Sequence, residues 1–119
     1  MSFDQTNREM VIFTRTFEFL SWLMPLTNHF PKSQRFLVTT RLLNAAFDLR
    51  EHLDAANLRR DSQRLECLLQ ADEALAKVRL YFRLARRWGW IGDASYLHGS
   101  DMLGEIGKLL GGWIKQCHP

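Results

Sequence analysis

The stretch over residues 62–88 limits the fold more than any other part of the chain. Leu68, Ala71, Leu75, Val78, Phe82 and Ala85 recur there at intervals of three and four, the spacing that lines up side chains on one stripe of an α-helix. A helix of that length does not bury its own stripe, so other helices must surround it. Three further segments supply them. Met10, Phe13, Phe17, Leu20 and Met24 mark a helix over residues 6–26. Val38, Leu42, Ala45, Leu49 and Ala56 mark a second over 32–57, and Tyr96, Leu103, Ile106, Leu110 and Trp113 a last one over 95–115.

The breaks between these segments are short. Asn28 stops the first helix, Pro25 offers it a kink, and Pro31 suits the first turn of the next. Arg59-Arg60-Asp61-Ser62 forms a polar corner in which Asp61 or Ser62 can cap the third helix, and Gly89 ends that helix. Short links make neighbouring helices antiparallel, so the sequence predicts one all-α domain over 1–119, an antiparallel up-down-up-down four-helix bundle. Eight Phe and four Trp within a 46% hydrophobic composition give it ample side chain to bury.

The N-terminus is polar and acidic, and the apolar run from Met10 to Leu26 is interrupted by Arg15 and Glu18, which predicts neither signal peptide nor membrane span. Cys67 and Cys117 lack metal-type or redox-type spacing and read as thiols of a reducing compartment, hence a cytoplasmic location.

Enzyme chemistry finds little to work with. The histidines His29, His52, His98 and His118 form no HExxH pair and no Glu-x-x-His motif of a di-iron bundle. His98, Asp101 and Glu105 share a helical face, and Asp48 precedes His52 by four, but such groups are usually solvated pairs. The glycines follow no strand and form no phosphate-binding loop. The sequence therefore predicts no catalytic residue, no metal and no cofactor.

Charge is more informative. The net charge is only +3, but five bases, Lys77, Arg79, Arg83, Arg86 and Arg87, lie between residues 77 and 88 with no acid among them. At about 100° per residue the four arginines share a stripe displaced from the core seam, and a planar guanidinium can grip two phosphate oxygens. A second acid-free interval, Leu20 to Phe47, carries Lys32, Arg35 and Arg41. These bases either bind nucleic acid or serve solubility and subunit ion pairs. Tyr81, Trp88 and Trp90 can stack on bases or belong to the core.

Leu80, Leu84 and Trp88 lie off the main seam of the third helix, as expected of a self-associating surface. Gly104, Gly107 and Gly111 cluster on one face of the last helix, beside Gly112 and Trp113; close packing inside the bundle or at a subunit interface would offset their helical cost.

Two segments carry a resemblance. Phe30-Pro31-Lys32-Ser33-Gln34-Arg35-Phe36 and Glu105-Ile106-Gly107-Lys108-Leu109-Leu110-Gly111-Gly112-Trp113-Ile114-Lys115 are similar to signature stretches of the accessory variability determinant family of diversity-generating retroelements. Related four-helix bundles, encoded in intervening sequences of large-subunit ribosomal RNA genes, share the overall pattern. The resemblance implies a homopentameric, barrel-like assembly without catalytic activity. Its positive surface would engage the retroelement's reverse transcriptase and template RNA, or an RNA–DNA hybrid, during error-prone copying. On this chain the matching bases are Lys32, Arg35, Arg41, Arg79, Arg83, Arg86 and Arg87, while Gly107, Gly111, Gly112 and Trp113 would serve packing.

Overall fold

A computed structural model describes residues 3–118, with side chains from residue 11 onward, so Met10 of the expected first stripe lies outside the described side chains. Helices α1 (Phe3–Thr27), α2 (Thr40–Leu58), α3 (Asp61–Arg87) and α4 (Asp93–Cys117) make up the fold, and no strand occurs among the described residues. α1 packs on α2 and α4, and α3 on the same two helices, so α1 and α3 stand diagonally across an antiparallel four-helix bundle. Its longest dimension is 46 Å, consistent with helices of about 25 residues at about 1.5 Å per residue.

The α3 stripe is as expected: Leu68, Ala71, Leu75, Val78, Phe82 and Ala85 are all buried. The α1 stripe is not. Phe17 and Met24 are 65% and 44% exposed, and the core is filled instead by Ile12, Thr16, Phe19 and Leu23, one position earlier in each turn. Thr16 tolerates burial because its hydroxyl donates to the carbonyls of Ile12 (2.9 Å) and Phe13 (3.2 Å).

The start of the second helix also differs from expectation. Residues Lys32–Gln34 form a 3-10 turn and Arg35–Thr39 a π-helical turn before α2 begins at Thr40. Both the amide and the hydroxyl of Thr40 donate to the Arg35 carbonyl, the latter at 2.6 Å. The widened turn pushes Phe36 into solvent at 85% exposure. At the α3 start neither expected cap operates: the cap position is Arg60, with no side-chain hydrogen bond, and Asp61 opens the helix in the left-handed region, with φ +56°. Pro25 lies in the last turn of α1, and the helix continues through it to Thr27.

α3 ends as glycine chemistry dictates. Gly89 has φ +78°, its amide donates to Arg86 (2.9 Å), and the amide of Trp90 donates to Ala85 (2.9 Å), the paired bonds of a Schellman cap. Gly89→Ala forces a side chain into the left-handed region and should lower stability by about 1 kcal/mol, read as a reduced midpoint in urea unfolding.

Candidate nucleic-acid interface

The Schellman turn sends the chain directly into α4, which lies antiparallel on α3 and converts the arginine row into one wall of a groove. Arg79, Arg83, Arg86 and Arg87 are all exposed. Each is held differently. Arg79 lies across α4: its Nη2 donates to the Leu103 carbonyl at 3.2 Å and occupies the space where a Cβ on Gly107 would come within 2.5 Å. Arg86 pairs with Asp93 at 3.1 Å, and its guanidinium sits 4.6 Å from the centre of the Tyr96 ring. Arg83 and Arg87 have no carboxylate or carbonyl partner among the described residues.

Tyr96 is the platform of this groove. Its ring stacks on Phe82, with ring centres 5.3 Å apart and planes 17° from parallel, and the Arg86 guanidinium also lies over it. Phe82 in turn reaches Trp22 of α1 at 6.0 Å, so the platform rests on the core. Gly99 makes room for this aromatic cluster, since a methyl there would overlap the Phe82 ring edge and come within 2.8 Å of Trp22.

The other sequence-predicted bases sit elsewhere. Lys77 is about 160° around α3 from Arg79, so it does not line the groove. Lys32, Arg35 and Arg41 are exposed at the entry to α2. Phe30 packs on Trp90 with ring centres 5.5 Å apart, which brings this basic corner to the same end of the bundle as the α3 terminus. Trp90 is half-buried against Phe30, and Trp88, 5.1 Å from it, remains 48% exposed.

The glycine stripe divides. Gly104, Gly111 and Gly112 have nothing within 4 Å of an added Cβ, so packing within the bundle does not explain them. Gly107 does pack, under Arg79. Trp113 is buried, edge-on to Phe13 and under the Arg64 guanidinium. Leu80 is half exposed while Leu84 is partly covered. Sequence reasoning missed Ser100 and the groove-lining role of Tyr96; the signal was the run of residues 96, 100, 104, 107 and 111 at three-to-four spacing, which extends the glycine stripe by two turns.

The candidate metal groups do not converge. Glu105 accepts a hydrogen bond from Arg15 at 2.8 Å, tying α4 to α1, and that bond, with the nearby Glu105 and Glu18 charges, raises the Arg15 pKa still further. His98 lies edge-on to Trp22. No group of three His, Cys, Asp or Glu that could hold a metal occurs among the described residues, nor any helix long and apolar enough to cross a membrane.

Among solved structures, the chain is similar to a protein of unknown function from the S23 ribosomal protein family of Bacteroides thetaiotaomicron. The TM-score is 0.81 and the identity 17%, covering 91% of this chain and 98% of that one, a likeness of fold. No curated protein matches. A model of the bAvd-like family, however, matches residues 10–117, nearly the whole length, so the chain belongs to the bAvd-like family.

Proposed function

We propose that this chain is a non-catalytic accessory protein of a diversity-generating retroelement, holding template RNA or its hybrid with cDNA against the partner reverse transcriptase. One observation carries the reading: four exposed guanidiniums line one side of a single helix, and only one of them has a carboxylate partner among the described residues. Such a surface attracts phosphates by releasing their counterions. Copurification with the reverse transcriptase of a neighbouring gene tests it. The expected result is a complex that also retains the template RNA; a polymerase that copies its template equally well without this chain would refute the reading.

The chain acts as a homo-oligomer, with the pentamer as the expected form. Two unlike apolar faces support this. Phe17 and Met24 project from α1, whereas Leu80 (49% exposed), Leu69 and Trp88 project from α3, on the diagonally opposite corner. Unlike patches on opposite sides favour head-to-tail contacts, which form a ring when the rotation between neighbours closes. Sedimentation should give a closed multimer.

Asp93 restrains the surface. Its carboxylate is largely exposed, so its ion pair with Arg86 adds at most about 1 kcal/mol of stability. Asp93→Asn removes that competitor for the Arg86 fork and is expected to raise RNA affinity by about threefold to fivefold with little change in melting, measured by fluorescence anisotropy.

A further inference from the structure

Three cavities run end to end between α3 and α4. One is lined by Arg83, Arg86, Arg87 and Tyr96. The next shares Arg83 and Tyr96 and adds Arg79, Ser100 and Leu103. The third shares Arg79 and continues past Gly104 and Gly107 to Lys108, where Asp72 closes the cationic run. The first two form one groove, and Arg79, reaching across to the Leu103 carbonyl, marks its border with the third. Its α3 wall is built of guanidiniums from Arg87 to Arg79 and of Leu75, Ala76 and Asp72 beyond; its α4 wall is low at Ser100 and Gly104, and nothing lies within 4 Å of a Cβ on Gly104.

The geometry points to this groove as the track for a single, unpaired nucleic-acid strand, whose phosphates seat on the arginine wall while its bases face outward. This rests on the nucleic-acid reading above and specifies the form of the ligand. Charge complementarity names the occupant, and shape selects the single strand. A duplex, with a persistence length of about 50 nm, is too stiff to sink its backbone between two helices whose axes lie about 8–10 Å apart; it can touch only the rim. A flexible strand can follow the cleft. From Arg87 to Arg79 the guanidinium wall is about 12 Å long, enough for about three to four nucleotides at about 3.4 Å each. Tyr96 is not offered as a stacking site, because its ring is already engaged by Phe82 and Arg86. The strand is therefore held by its backbone and without regard to sequence.

Filling the groove without altering charge separates this from general attraction to the basic face. Gly104→Leu projects into open space and improves helix propensity, so it should fold at least as well as the wild type; Ser100→Leu blocks the adjacent section as a second variant. Anisotropy is read with an unstructured RNA of about 12 nucleotides and with a duplex of the same length. Each variant is expected to lose about tenfold in affinity for the single strand and to keep duplex affinity within about twofold. Single-strand binding unchanged by both fillers, but weakened by Arg83→Gln, would overturn the groove and leave the basic surface standing. No binding of either probe by the wild type would overturn both.

Discussion

Replacing Arg83, Arg86 and Arg87 together by glutamine is expected to weaken single-stranded RNA binding on the order of 100-fold at about 0.1 M salt. The reasoning is counterion release: each phosphate contact on a single strand contributes a log–log salt slope of about 0.7, worth about fivefold in affinity at that salt concentration. Removing three contacts should also flatten the slope by about two. Two of the three side chains have no partner among the described residues, and the third has only an exposed ion pair and an aromatic face, so the melting temperature should barely move. Anisotropy across a salt series, with calorimetry as the folding control, gives both readings. Loss of the oligomer with intact RNA binding would instead assign these arginines to subunit contacts.

The largest expected effect on stability lies directly beneath the same groove. Phe82 is buried, packs edge-on to Trp22 and stacks on Tyr96. Phe82→Ala deletes that ring and should cost about 3–5 kcal/mol, a drop in melting temperature on the order of 15 °C for a chain of this size. Gly99→Ala should destabilise too, by about 1–2 kcal/mol, because overpacking against Phe82 and Trp22 outweighs the helix propensity gained. The two changes act on one space. The double variant should therefore be more stable than the summed single effects by about 1 kcal/mol, whereas strict additivity would show that Phe82 does not set the space available at Gly99.

Much of the bundle was legible because the long three-and-four stripes of α3 and α4 coincide with the residues they bury. α1 was misread for the opposite reason. It offers two apolar stripes one residue apart, and Thr16 disguised the true one until its hydroxyl was seen to be satisfied by its own helix. The π turn at Arg35–Thr39 left no mark in the periodicity. The arginine row was legible as charge, but its division was not: that Arg79 folds down onto Gly107 and Arg86 is tethered by Asp93 follows from α4, which is remote in sequence from most of α3. The glycines were legible as a stripe, but spacing alone does not say which of them meet their own bundle: Gly107 does, under Arg79, and Gly104, Gly111 and Gly112 do not.

The account stands on the guanidinium wall of α3 meeting a polyanion through water. Titrating the intact chain with single-stranded RNA between about 50 and 200 mM salt measures this directly. Four arginine–phosphate contacts predict a log–log slope near −3, about 0.7 per contact. A slope near zero, or no binding at the lowest salt, would contradict it.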